Sequence, residues 1–263
     1  MLIGFLAGLL GTFAFLKKQT MLGDVVAHAA LPGIVAAFML THSAQLLVLM
    51  SGGLIAGLCA VLLITLLSRY TPLHTDTLFG IVLSVFFGIG LVLLTQVQKT
   101  PIASQSVLNK FLFGSAATLV YADLCMLVIL ACLVSIVVAL LWKPFVLIVF
   151  DPDYARTLGI PVTLLQAVLQ VLMVTVIVTG LYAVGVVLMS SLLVAPAVTA
   201  RQLTRSVVSM ALCATMSGVL ACAVGMQISI MYAHVPTGPA IVVVATLSAL
   251  SALGMRHGFK GIV

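Results

Sequence analysis

Charge is what this sequence has least of. Asp, Glu, Lys and Arg make up 6% of its 263 residues, where about a quarter is usual for a soluble domain. That scarcity excludes a water-soluble globule. No polar stretch is long enough to fold alone, so a built-in nucleotide-binding domain is excluded too. The five cysteines, Cys59, Cys125, Cys132, Cys213 and Cys222, all fall within apolar runs and none forms a CxxC. A thiol metal site or redox motif is therefore not expected, and the cysteines read as small buried hydrophobes. The N-terminus lacks a positive n-region and enters an apolar run at once, so no cleavable signal peptide is expected.

What the chain has is hydrophobic length. Apolar residues make up 63% of the sequence, and the mean hydropathy is +1.38. This is the composition of a polytopic membrane protein. The net charge of +6 comes from Lys and Arg scattered between apolar runs, which is no nucleic-acid footprint. The run lengths predict an all-α bundle of about nine transmembrane helices. The expected spans are about Leu2–Leu16, Thr20–Leu40, Ala44–Leu67, Leu78–Val97, Ala117–Leu141, Val162–Leu181, Val184–Ala200, Ser206–Met231 and Pro239–Gly254. Gly180–Gly185 would be the tight turn between the sixth and seventh. Gly4 with Gly8, and Gly53 with Gly57, are GxxxG pairs that predict close helix packing. Asp76 or Thr77 is placed to cap the fourth helix.

Charge placement supports an outside N-terminus and an inside C-terminus. With that topology Lys17, Lys18, Arg69, Lys143, Arg156, Arg201, Arg205, Arg256 and Lys260 fall inside, and only Lys99 and Lys110 outside. This is the asymmetry of the positive-inside rule.

Against this background Met21–Ala37, MLGDVVAHAALPGIVAA, stands out. Asp24 and His28 lie four residues apart, so on a helix they share a face. Ionisable residues inside an apolar span usually face a protein interior or a water-filled path. A carboxylate beside an imidazole can hold a divalent transition metal. Counted from the lysines, His28 would lie about 12–15 Å into the bilayer, near its centre. Pro32 and Gly33 follow and are expected to loosen or bend the helix. A plainer reading stays open on spacing alone: Asp24 caps the helix and His28 is a satisfied buried histidine.

Phe150–Pro161, FDPDYARTLGIP, is the most polar piece of the chain. Asp151 suits a cap, Pro152 the first helical turn and Gly159 a stop. A short cytoplasmic helix of about two turns is expected. On composition alone it could equally be an ordinary amphipathic connector. Pro196 falls inside the seventh span, near its inner end. His42 and His234 fall in outer turns and His74 and His257 in inner loops, where solvation is the expected state. Asp123, near the outer end of the fifth span, is expected to be structural.

Four stretches together are similar to one family. They are GDVVAHAALPG (Gly23–Gly33), TDTLFGIVLSVFFGIGL (Thr75–Leu91), FDPDYARTLGIP, and SSLLVAPAVTAR (Ser190–Arg201). In this order and spacing they resemble the membrane permeases of ATP-binding-cassette importers for manganese, zinc or ferrous iron. The resemblance covers nearly the whole chain. It implies a single type II importer-like permease domain in the bacterial cytoplasmic membrane, without catalysis of its own and without a cofactor, the metal being the substrate. Asp24 and His28 would be ligands along its path, with Pro32, Gly33 and Pro196 breaking or packing helices around it. Asp151, Asp153, Ala155, Arg156, Leu158 and Gly159 would form the coupling helix gripped by a cytoplasmic ATPase dimer. An extracytoplasmic metal-binding protein would deliver the ion, and a second permease chain, identical or paralogous, would complete the path. The segment LNKFLFGSAATL (Leu108–Leu119) leans towards the manganese and iron members. Three other readings fit less well. A permease for a siderophore or other chelate would need a wide path without a ligand pair. A stand-alone secondary transporter would have no use for a docking helix. An intramembrane enzyme would need a second catalytic group near Asp24 or His28.

Overall fold

Apolar runs inside a bilayer must satisfy their own backbone hydrogen bonds, and a helix does this within one segment. A computed structural model describes residues 1–42, 45–98, 121–231 and 237–260, and its regular elements are all helices. They are α1 Leu2–Leu16, α2 Leu22–Thr41, α3 Leu46–Tyr70, α4 Thr75–Gln98, α5 Tyr121–Leu140, α6 Trp142–Phe150, α7 Pro152–Thr157, α8 Val162–Val184, α9 Val186–Leu203, α10 Val207–Met231 and α11 Thr237–Lys260. Seven of these are long and apolar enough to cross a membrane. Each of the expected spans has a helix: those seven, together with α1 and α9.

The chain forms two compact units, each discontinuous in sequence. One comprises Met1–Thr20, Leu119–Leu172 and Ser191–Val263, the other Met21–Thr118 and Met173–Ser190. In the first unit α1 packs on α10 through small residues. A methyl group at Gly4 would run into the Gly218 carbonyl, and one at Gly8 into the Ala214 carbonyl. The GxxxG pair thus brings two backbones together, as expected of it. Gly11 makes the same close approach to the Leu193 carbonyl of α9. In the second unit Gly33 of α2 and Gly52 of α3 face each other, each under the other's carbonyl oxygen. Gly53 and Gly57 lie beside them, against Val178 and Val174 of α8.

These contacts give a contrast that can be measured. Gly33→Ala or Gly52→Ala places a methyl against a backbone oxygen that cannot swing aside. Either should destabilise the protein by about 1–3 kcal/mol, which lowers the melting temperature by several degrees. Gly88 has open space where its Cβ would be. Gly88→Ala should therefore be neutral or stabilising by up to about 1 kcal/mol, since Ala is the better helix former. Thermal unfolding in detergent separates the two classes.

Several boundaries differ from expectation. α1 ends in a Schellman motif: Gln19 N–H donates to Ala14 O at 2.9 Å and Lys18 N–H to Phe15 O at 3.0 Å. Lys18 adopts the left-handed conformation at φ 57°, and α2 starts only at Leu22 rather than Thr20. The stretch after α5 is not a plain interface loop, because Trp142–Phe150 is a helix. Pro144 explains the break. It has no N–H to offer the Leu140 carbonyl and its ring crowds that oxygen, so α5 stops there and a new helix starts at Trp142. In α6 Pro144 occupies the first turn, where a missing N–H costs nothing. Phe145 and Trp142 pack edge-on against Phe13 of α1, with ring centroids 5.9 and 5.3 Å away. The turn expected over Gly180–Gly185 is the single residue Gly185, at φ 87°. α11 does not end at Gly254 but runs to Lys260. Glycine stops a helix by going left-handed, and Gly254 has no positive φ.

Candidate functional site

α2 carries the ionisable pair. Its N-cap is Met21, with no side-chain cap hydrogen bond, and Asp24 is an acidic residue of the first turn. Asp24 is therefore the third helical residue and not the capping residue. A carboxylate there still offsets the positive end of the helix dipole. His28 follows one turn later on the same face, and the two groups are close enough to interact electrostatically. Both side chains are half-buried. His28 lies about 9 Å along α2, short of the middle of this 20-residue helix.

The wall around the pair is apolar. The imidazole of His28 stands edge-on to Phe87 of α4, centroids 4.8 Å apart and planes at 73°. One turn deeper Leu31, Val35 and Val97 form a buried cluster with Phe38, Phe87, Leu93 and Leu94 packed on it. Pro32 is buried, and α2 continues through it to Thr41. A methyl at Gly90 would lie 3.1 Å from the Pro32 Cδ and 3.0 Å from the Leu31 Cδ2. Gly90 thus lets α4 close on the proline, while Gly33 lets α3 close on the next turn. The LPG sequence serves as a packing surface on both sides, and the helix carries on across it.

Phe87 and Gly90 were not singled out from sequence. They lie in TDTLFGIVLSVFFGIGL, where a Phe pair among small residues was the available signal. Asp76 falls in the first turn of α4, with the His74 carbonyl accepting from Thr77 N–H at 3.0 Å. It is thus within the turn rather than at the cap. His42 ends α2 in a left-handed conformation and is exposed, as is His74. Asp123 lies in the first turn of α5. His234, Lys99, Lys110 and all of Leu108–Leu119 lie outside the described residues, and the side chains of Arg256, His257 and Lys260 do too. Among the described residues no group of three His, Cys, Asp or Glu could hold a metal. Asp24 and His28 could offer an ion two ligands, leaving the rest of its shell to water or other groups. Outside the spans, Lys17 is partly buried, and burial lowers its pKa. Lys18 beside it is exposed.

The Phe150–Pro161 segment is built from its own sequence. Asp151 caps α7, accepting from the Tyr154 N–H at 2.9 Å, with Pro152 in the first position. Arg156 pairs with Asp153 at 2.6 Å, and both are well exposed, so the pair adds little stability. The end is a second Schellman motif. Ile160 N–H donates to Ala155 O at 3.1 Å and Gly159 N–H to Arg156 O at 3.0 Å. Gly159 supplies φ +76°, which costs a residue with a Cβ about 1–2 kcal/mol. α7 is shorter than the two turns expected, at six residues. Ala155 is fully buried, while Tyr154 and Leu158 are 53% and 55% exposed. Pro196 is buried inside α9, which continues through it. It offers no N–H to the Leu192 carbonyl.

The chain is similar to known transport proteins. The chain is 42% identical over 262 residues to the zinc transport system membrane protein TroC of Treponema pallidum, covering 97% of this chain and 87% of that one. It is 40% identical over 247 residues to the manganese transport system membrane protein MntC of Bacillus subtilis, 94% of this chain and 57% of that one. Among solved structures it is similar to PsaBC from Streptococcus pneumoniae in complex with Fab. The TM-score is 0.82 at 27% identity, over 95% of this chain and 87% of that one. Residues 1–256 match the ABC 3 transport family, and the chain belongs to that family.

Proposed function

We propose that this chain is the membrane permease of an ATP-binding-cassette importer that carries a divalent transition metal, Mn²⁺, Zn²⁺ or Fe²⁺, into the cell. The observation that carries the reading is the Asp24–His28 pair on one face of α2, half-buried, with Phe87 against the imidazole. Relatives named for zinc and for manganese transport support the substrate class. A carboxylate and an imidazole serve all three metals. Two protein ligands plus water hold an ion loosely, as a conducting site must, where a closed four-ligand cage would trap it.

In this reading a cytoplasmic ATPase dimer grips α7, and an extracytoplasmic metal-binding protein delivers the ion at the outer face. A second permease chain completes the path in the cytoplasmic membrane. The N-terminus is outside and the C-terminus inside, which the distribution of Lys and Arg supports.

Deleting the gene and measuring accumulation metal by metal tests the substrate. Uptake of at least one of manganese, zinc or iron should fall and return with the wild-type chain. Unchanged accumulation of all three would overturn the proposal. A reporter fused after Lys260 should behave as cytoplasmic. Extracytoplasmic behaviour would overturn the topology.

A further inference from the structure

A groove of about 610 Å³ opens on the first unit, well separated in sequence from the ligand pair. Its walls are Phe5 and Leu9 of α1, Leu140 at the end of α5, and Ala211 and Leu212 of α10. One end is different. There Trp142, the only tryptophan of the chain, and Lys143 line it, with Val208 of α10 opposite. Trp142 is held from behind by Phe13, centroids 5.3 Å apart. Lys143 is exposed, and so is Arg205, which stands three residues before Val208 in the turn that leads into α10. No lining residue is acidic.

The dimensions fit one leaflet. From Val208 to Thr215, the extent of α10 along the groove, is about 10 Å of helix. Half the hydrocarbon core is about 15 Å. Tryptophan and lysine at the mouth are interface residues. The slot thus runs from the headgroup level part-way to the bilayer midplane, apolar along its length and cationic only at its mouth. That is the complement of a chain with an anionic head. Basic pockets between transmembrane helices bind anionic headgroups for this reason.

We propose that this groove is a specific site for an anionic phospholipid, with an acyl chain between α1, α5 and α10 and the phosphate against Lys143 and Arg205. Bound there, the lipid would brace the start of α6, the helix that leads directly into α7.

Trp142 is a built-in reporter. The full chain is reconstituted in phosphatidylcholine vesicles in which a growing fraction is brominated phosphatidylglycerol or, in parallel, brominated phosphatidylcholine. Bromine quenches tryptophan only on contact. Phosphatidylglycerol should occupy the site about five-fold more tightly per engaged cation than phosphatidylcholine. Lys143→Gln and Arg205→Gln should each lower that preference about five-fold, and the double variant should bring it close to one. Arg69→Gln, an exposed cation on the other unit, should leave it unchanged. Equal quenching by both lipids in the wild type would overturn the proposal. So would a preference that survives the Lys143→Gln and Arg205→Gln double variant, or falls equally with Arg69→Gln. Absence of quenching by either lipid would show protein over the groove, such as a second copy of the chain, and would overturn it as well.

Discussion

Metal uptake should fall to background when His28 is replaced by Ala, with the permease still folded and its complex still assembled. In the proposed site the imidazole is the softer of two ligands, and among the described residues no third His, Cys, Asp or Glu joins them. Losing a residue that merely orients a ligand costs about 10–100-fold in metal affinity, so losing the ligand itself should exceed that. His28 is only half-buried, and its removal leaves no closed cavity in the core. Phe87 provides the graded companion. Its ring fixes the imidazole edge-on, so Phe87→Leu should lower the apparent metal affinity by about 10-fold while leaving the maximal rate largely intact. Uptake measured over a range of metal concentrations distinguishes the two. Wild-type uptake by His28→Ala would remove His28 from the path.

The second large effect should come from the exposed side of α7. Tyr154 and Leu158 project from a helix whose Ala155 is buried, and whose ends are closed by Asp151 and Gly159. Apolar side chains left half-exposed on a six-residue helix do little for the fold. They are well suited to anchor in a partner's groove, where a buried anchor typically contributes 2 kcal/mol or more, about 30-fold in affinity. Tyr154→Asp together with Leu158→Asp should therefore abolish co-purification of the ATPase and with it ATP-driven uptake. The melting temperature of the permease alone should move by about a degree or less. Gly159→Trp should also uncouple, but it adds backbone strain to the lost contact, so the double variant is the cleaner test. An ATPase that still co-purifies with the double variant would show that α7 is not its anchor.

Much of this was legible because helices in membranes obey few rules. Unbroken apolar length located the spans, and the caps of α7 could be read residue by residue from Asp151, Pro152 and Gly159. Proline was harder to read. Pro32 lies inside a continuous α2 because α4 closes on it at Gly90, a tertiary contact with no local trace. Pro144 breaks the chain because it has the first turn of a new helix to occupy. Glycine was ambiguous for a related reason. Gly4, Gly8 and Gly33 are close approaches, Gly159 and Gly185 are left-handed turns, and Gly254 is neither. Gly4 with Gly8 showed in its GxxxG spacing and Gly159 in the caps of α7, but nothing local marks Gly33 as a close approach, because its partner lies on another helix. The Asp24–His28 pair was visible from its i, i+4 spacing. Phe87 was not, since an aromatic in an apolar helix reads as core until its neighbour is known.

The central claim is that Asp24 meets the ion. Asp24→Asn keeps the shape of the side chain and removes the charge that offsets a cation. Its effect on the dipole of α2 is about 0.3–1 kcal/mol, too small to unfold the protein. The direct measurement is uptake of radioactive metal into vesicles holding the reconstituted complex, with ATP hydrolysis followed in the same sample. The predicted result for Asp24→Asn is background uptake with basal hydrolysis retained. Uptake at the wild-type rate would contradict the account.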